Sequence, residues 1–162
     1  MKKILLAATA LAMLAIACKK NDTSNAPVTA NNWKVGSNSY TAQVVVSGTG
    51  GNYWSVEALT SRTFPLSYIN FTFNGTSAPS AGTYKVVSMS TSAMPAPGQV
   101  GVDVGDAPTA SSGTFYLATG NDNVNATVTV GGGKLNISLP DIWARDTSGH
   151  DSVKVSANIT QM

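Results

Sequence analysis

The sequence predicts an all-β protein, and three observations carry this prediction. From Asn31 onward, apolar residues recur with a period of two, as in strands that bury one face. No segment repeats apolar residues at helical spacing over more than about two turns. Glycine, proline, Asn-Gly and Gly-Gly recur roughly every dozen residues, which is typical of sandwiches and barrels. We therefore expect an antiparallel β-sandwich or incomplete barrel of about nine strands, two architectures that periodicity does not distinguish.

The first half of this region predicts strands separated by short turns. Ile69, Phe71 and Phe73 alternate with polar residues, which predicts one buried face. Glycine-rich and Asn-Gly segments tolerate the positive φ that tight turns need. The expected strands are 33–35, 40–46, 53–60, 66–73 and 82–87, and the expected turns are 36–38, 48–52 and 74–75.

The second half repeats the pattern after an interruption at residues 89–97, whose two prolines exclude a central strand. The expected strands are 100–104, 114–119, 124–130, 135–139 and 153–159. Val124, Ala126, Val128 and Val130 are expected to face the core together, as are Leu135, Ile137 and Leu139, and as are Val153, Val155, Ala157 and Ile159. Loops are expected at 107–112 and at 140–149, and a turn at 131–133.

Length and charge exclude several functional classes. The chain has 162 residues, and removal of the first 17 would leave 145, enough for one domain with a real core. Lys2 and Lys3 would leave with that segment, so ten basic residues become eight against eight acidic ones. The remaining basic residues are scattered singly rather than clustered, so no nucleic-acid partner is expected. Cys18 is the single cysteine, which leaves no thiol for a disulfide or a redox pair.

Residues 1–17 predict a secretory signal peptide. Two lysines precede an apolar run of about 14 residues, and a membrane-spanning helix needs about 20. The order Leu14-Ala15-Ile16-Ala17-Cys18 resembles a bacterial lipobox, with Ala15 in place of the usual leucine. This resemblance implies a lipid thioether on Cys18. A conventional secretory signal with an incidental cysteine is the alternative.

Residues 18–30 are polar, contain Pro27 and predict a flexible tether before a single all-β domain at 31–162. The start Cys18-Lys19-Lys20-Asn21-Asp22 resembles that of Bacteroidota-type lipoproteins. The segments Trp33-Lys34-Val35, Tyr40-Thr41-Ala42 and Gly82-Thr83-Tyr84 resemble small all-β lipoproteins of that group. The resemblance implies an outer-membrane lipoprotein, on the periplasmic or the surface face, and brings no catalytic residue.

The densest polar segment, 141–151, is the first candidate site. Asp146, His150 and Asp151 can form a carboxylate–imidazole metal site, and His150 can act as a general base. Trp143, Arg145 and His150 are candidate ligand-binding residues, with Trp143 expected to be exposed in a loop. The spacing matches no metal-ligand signature, so a solvated loop is the favoured interpretation and no cofactor is expected.

Other chemistries have weaker support. Asp103 and Asp106 are the right residue types for a glycosidase pair, but a turn is the favoured interpretation. Glu57 is expected to face solvent, although burial or pairing remains open. No Gly-x-Ser-x-Gly elbow is present for a serine hydrolase, and the two glycine-rich segments do not precede helices.

The functional expectation is a lipid-anchored cell-envelope protein whose β-domain binds or scaffolds without catalysis. Its expected partners are the membrane, through the N-terminal lipid, and a glycan or another envelope protein. Two alternatives remain open at this point. One is a small hydrolase or metal-dependent enzyme centred on 141–151, and the other is an adhesin or pilus-type subunit that exchanges strands at a sheet edge.

Overall fold

The computed structural model describes residues 31–89 and 94–162, so the expected signal-peptide helix, the tether and Cys18 lie outside the described residues. Within them the chain forms eleven strands and no helix, which confirms the all-β prediction and corrects the expected number from about nine. No described segment is a helix long and apolar enough to cross a membrane. The strands are β1 (Asn32–Val35), β2 (Asn38–Thr41), β3 (Val44–Gly50), β4 (Tyr53–Leu59), β5 (Leu66–Asn74), β6 (Gly82–Val87), β7 (Gln99–Thr109), β8 (Ser112–Ala118), β9 (Asn125–Gly131), β10 (Lys134–Asp146) and β11 (Ser152–Thr160).

All eleven strands belong to one sheet that closes on itself. Its main path runs β2-β1-β11-β10-β9-β6-β7-β5-β4-β3, and β8 pairs with both β7 and β10. These pairings close a ring of five strands: β6, β7, β8, β10 and β9. Antiparallel pairing was expected throughout, but β6 and β7 pair in parallel, so these two neighbouring strands run in the same direction.

Two long strands bend at prolines that the sequence predicted to lie in loops. In β7, the pairing with β8 shifts between Asp106 and Thr109, around Pro108. In β10, the pairing with β11 shifts between Leu139 and Ile142, around Pro140. A bulge leaves one residue outside the hydrogen-bond ladder, so a proline without an N–H fits there. The predicted loops at 107–112 and 140–149 are therefore too long: each strand continues past its proline, and the connections are 110–111 and 147–151.

One predicted strand is two strands that lie at opposite ends of the sheet path. The segment 40–46 breaks at Ala42 and Gln43, so β2 pairs with β1 while β3 pairs with β4. The amide of Ala42 donates to the carbonyl of Asn31, and the amide of Gln43 donates to that of Leu59. The two residues between the strands thus carry the chain from one edge of the sheet to the other.

Several hairpin turns are shorter than predicted. The β3–β4, β7–β8 and β9–β10 connections each contain two residues, namely 51–52, 110–111 and 132–133. Gly132 and Gly133 both have positive φ, at 59° and 76°. Two-residue turns with positive φ match the right-handed twist of the strands they join, which is why glycine is favoured in both positions.

The inward faces of the strands form one hydrophobic core. Ile69, Phe71 and Phe73 are almost completely buried, as are Leu135, Ile137 and Leu139, so both alternating patterns were predicted correctly. Burial of each such side chain contributes about 1.5–3 kcal/mol. Val130 is a correction, because it lies beside the β9–β10 turn and is 53% exposed.

Candidate functional site

Three polar residues form a row on the outward face of β4, β5 and β7. Glu57 pairs with Asn70, which pairs with Asp103 on its other side. Neighbouring strands lie about 4.8 Å apart, so the two acids are separated by about 10 Å at the backbone. The side-chain amide of Asn70 donates to Oδ1 of Asp103 at 2.9 Å. Side chains from three strands, remote in sequence, thus meet on one surface.

The two acids of this row are half-buried, and burial shifts the pKa of both carboxyl groups. Burial raises the pKa of Asp103, and hydrogen bonds from Asn70 and Tyr68 offset part of that rise. Burial also raises the pKa of Glu57, and the negative charge of Asp103 adds to the rise. The pKa of Tyr68 is raised by burial and by Asp103. Lysine and arginine side chains among the described residues make no contribution to any of these shifts.

Beside this row lies a concave surface that we call the hairpin groove. It has a volume of about 630 Å³ and lies between the β4–β5 connection and the tip of the β7–β8 hairpin. Its polar lining residues include Glu57 and Tyr68. The full lining is Glu57, Leu59, Phe64, Leu66, Tyr68, Ala107, residues 109–113 and Phe115.

Gly105 allows two aromatic rings to approach each other across β7. Tyr68 and Phe115 are its partners on β5 and β8, and their ring centroids are 6.3 Å apart. A Cβ at position 105 would lie 2.6 Å from Cε1 of Tyr68 and 2.7 Å from Cδ1 of Phe115. Any larger residue would force the rings apart, so the absent side chain shapes this wall of the groove.

The rim of the groove is aromatic and open to solvent. Phe64 is 48% exposed and Phe115 is 38% exposed, which is unusual for rings of this size. The Phe64–Pro65 peptide bond is cis. A second cavity of about 630 Å³ adjoins the groove, since both are lined by Leu66, Ala107 and Gly113.

The two acids that share one face of the sheet are not the pair singled out in the sequence. Asp103 and Asp106 both lie in β7 rather than in a turn, and they point to different faces. Asp106 lines the second cavity and accepts a hydrogen bond from the Tyr40 hydroxyl at 3.0 Å. Glu57, expected to face solvent, is half-buried near Asp103. A single charge within an otherwise uncharged strand was the available signal for Glu57, whereas the strand that holds Asp103 also holds Asp106.

The 141–151 segment is mostly strand rather than loop. Asp141, Trp143 and Arg145 all lie on the exposed face of β10. The expected exposure of Trp143 is confirmed at 44%, although it sits in a strand. Its ring lies 5.7 Å from Nζ of Lys154, the residue paired with it on β11. This contact supports a surface cation–π pair.

The three proposed metal ligands, Asp146, His150 and Asp151, lie in or next to the short β10–β11 connection, and Asp146 forms hydrogen bonds within it. Oδ1 of Asp146 accepts a hydrogen bond from the amide of Asp151 at 3.1 Å, and Ser148 donates its hydroxyl to Oδ2. The Ser148 hydroxyl lowers the pKa of Asp146 most. His150 lies within hydrogen-bond distance of Ser148, with 3.0 Å from Nδ1 to Oγ. Across residues 31–89 and 94–162, no three His, Cys, Asp or Glu side chains converge on a point that can hold a metal ion.

Arg145 lines a separate cleft of about 460 Å³ with residues 146–149, while Trp143 and His150 do not line it. The structure therefore does not gather Trp143, Arg145 and His150 into one binding surface. The cleft is walled mainly by polar turn residues and by β8. Its one charged pair, Arg145 and Asp146, is adjacent in the chain.

The chain matches no protein-family model, and no curated protein or solved structure is significantly similar to it. Function is therefore inferred from the chemistry of the two surfaces. The hairpin groove combines an apolar lining with a few half-buried polar groups, whereas the 145–149 cleft is a polar turn region.

Proposed function

We propose that this protein is a lipid-anchored cell-envelope protein whose β-domain binds a ligand in the hairpin groove without catalysis. The observation that supports this proposal is the lining of the groove, which combines apolar and aromatic side chains with the polar groups of Glu57 and Tyr68. Ligand sites in proteins are concave and mostly apolar, with a small number of placed polar groups that fix orientation. The lining of the 145–149 cleft includes Met89, Leu117 and Ala118 but no aromatic side chain.

The position of the groove in the fold also supports binding. The groove lies between two connections, 60–65 and 110–111, that are held by the paired strands β4, β5, β7 and β8. Loops on a rigid scaffold can vary in sequence without loss of the core, and they are common locations for binding residues. Phe64 and Phe115 come from this end of the sheet.

Binding without turnover follows from the placement of the two acids. Acid–base cleavage of a glycosidic bond needs two carboxyl groups across the scissile bond. Glu57 lines the groove, whereas Asp103 does not line it and is hydrogen-bonded to Asn70. A single carboxylate in contact with the ligand can orient it but supplies only half of that chemistry.

The anchoring part of the proposal is carried by the sequence. Cys18 follows a short apolar segment and precedes a polar one, as in bacterial lipoproteins. An acyl chain on Cys18 would hold the domain at the envelope, and the outer membrane is the proposed location. The partner on this side of the protein is the lipid bilayer.

Anchoring is tested by labelled palmitate incorporation in cells that produce the protein. The wild-type chain is expected to take up the label and the Cys18→Ser variant to lose it completely. A Cys18→Ser chain that still carries label would contradict acylation at this residue. Immunoblotting of both chains controls for expression.

The groove is tested by soaking crystals of the protein separately in isopropanol and phenol. Small organic probes collect in apolar concavities that have a few polar groups. Both probes are expected between Phe64 and Phe115, and the Phe64→Ala variant is expected to lose them. Probes that collect only in the 145–149 cleft would overturn the assignment.

A further inference from the structure

The hairpin groove carries negative charge that its lining does not balance. Glu57 lines it, and Asp103 lies two strands further along the same face, beyond Asn70. Among the described residues, the lining contains neither lysine nor arginine. Arg62 belongs to the β4–β5 connection, but it is exposed and lines neither the groove nor the adjoining cavity. An occupant with positive charge would supply the missing counter-charge.

The walls of the groove suit the same occupant. The π-faces of Phe, Tyr and Trp attract cations within about 6 Å of the ring centroid. Phe64, Tyr68 and Phe115 contribute three such rings to the lining that also holds Glu57. Leu59 and Leu66 add aliphatic surface, which would bury an apolar stem. A neutral sugar can stack on the rings, but it would leave the carboxylates uncompensated.

We propose that the hairpin groove binds an organic cation, namely a primary ammonium or guanidinium group on an apolar stem. The stem packs against Phe64 and Leu66, and the charged head donates hydrogen bonds to Glu57. Asp103 adds negative charge nearby without lining the groove. This inference rests on the proposed function of the groove and adds the chemistry of its ligand. A small amine and a lysine or arginine side chain of a partner protein share this chemistry.

The test is calorimetric titration of the purified protein with Nα-acetyl-arginine methylamide, and with the matching citrulline compound. Citrulline has nearly the same shape as arginine but no charge. The arginine compound is expected to bind at least about tenfold more tightly, because it alone compensates the carboxylates. Propylguanidinium, which keeps the stem and the charge of arginine but lacks the peptide groups, distinguishes the sources: binding of propylguanidinium favours a small cation, and binding of the arginine compound alone favours a protein side chain.

Variants locate the effect within the groove. Glu57→Gln is expected to weaken binding of the arginine compound by at least about tenfold, and Asp103→Asn by less, since Asp103 does not line the groove. Asp141→Asn, which removes an exposed acid on β10, is the matched control and should leave affinity unchanged. Circular dichroism spectra confirm that each variant is folded.

Three outcomes would overturn the inference, and they are distinguishable. Suppose that the arginine and citrulline compounds bind with equal affinity, and that Phe64→Ala weakens the binding of both. This result would reject the cation while leaving the groove as the binding site. Failure of every compound to bind would count against the groove as well. Binding that survives both Glu57→Gln and Asp103→Asn would also reject the assigned counter-charge.

Discussion

At the scale of single residues, Glu57 and Asp103 stand out because they lower the stability of the fold that holds them. Each is half-buried, and each would be more stable in its neutral form. Proteins retain such residues where binding or catalysis depends on them, at some expense of stability. A cationic ligand that compensates both charges would reverse the effect, so these residues connect stability to binding.

The pH dependence of stability follows from the raised pKa values of Glu57 and Asp103. Between its unfolded and folded pKa values, each acid holds more protons in the folded state, so stability falls as pH rises above about 4. Glu57→Gln removes one of these contributions. The variant is expected to be more stable than wild type at pH 7 by about 0.5 kcal/mol, after allowance for solvent screening, and equal to it near pH 4.

Urea unfolding of both chains at pH 4 and pH 7 measures this difference. The charge that raises the pKa of Glu57 is that of Asp103, while Tyr68, whose pKa is raised by burial, stays neutral between pH 4 and pH 7. Asp141→Asn serves as the control and should show no gain. A Glu57→Gln protein that is less stable than wild type at pH 7 would show that Glu57 has a compensating partner.

At the scale of elements, the alternation of apolar and polar residues predicted most of the buried strand faces. The two prolines that lie within strands were expected in loops. Leu135, Ile137 and Leu139 were placed correctly because a period of two is a local property. Pro108 and Pro140 belong to the predicted loops 107–112 and 140–149, although a proline, which cannot donate to a ladder, is also found at bulges within strands. Both occupy bulges, and whether a proline meets a bulge depends on the partner strand, which local sequence does not show.

The bulged strands explain how the sheet closes. The first part of β10 pairs with β9 through Ser138, and its last residues, from Ala144, pair with β8. The strand therefore changes partner along its length, beyond the irregularity around Pro140. The same is true of β7, which pairs with β6 early and with β8 late.

The edge strand β2 is attached to the far side of the sheet by one hydrogen bond, from the Tyr40 hydroxyl to Asp106. Tyr40→Phe removes this bond and keeps the ring stacked on Trp33, whose centroid is 5.3 Å away. We expect a loss of about 1 kcal/mol in the free energy of unfolding, because Asp106 keeps a carboxylate with one donor fewer.

Chemical denaturation of Tyr40→Phe and Tyr84→Phe measures this contribution against a matched control. The Tyr84 hydroxyl donates to the carbonyl of Ser80 at an exposed position, and its ring packs edge-on against Phe73. Tyr84→Phe should therefore change stability by less than about 0.5 kcal/mol. Equal losses in the two variants would indicate that the bond to Asp106 adds nothing specific.

At the scale of the whole molecule, the groove exists because β5 lies between β4 and β7. This order brings Glu57, Asn70 and Asp103 into one row and places Phe64 near Phe115. Strand order depends on contacts between residues far apart in the chain, so period-two patterns cannot predict it. The sequence therefore indicated the segment with the most polar residues, 141–151, rather than the site where half-buried acids meet aromatic rings.

The central claim is that the hairpin groove, and not the 141–151 segment, takes the ligand. Its most direct test is a titration of the ¹⁵N-labelled protein with Nα-acetyl-arginine methylamide, followed by amide chemical-shift changes. The largest changes are expected at residues 57–59, 64–68 and 109–115. Changes concentrated at residues 143–154, around Trp143 and His150, would contradict the claim.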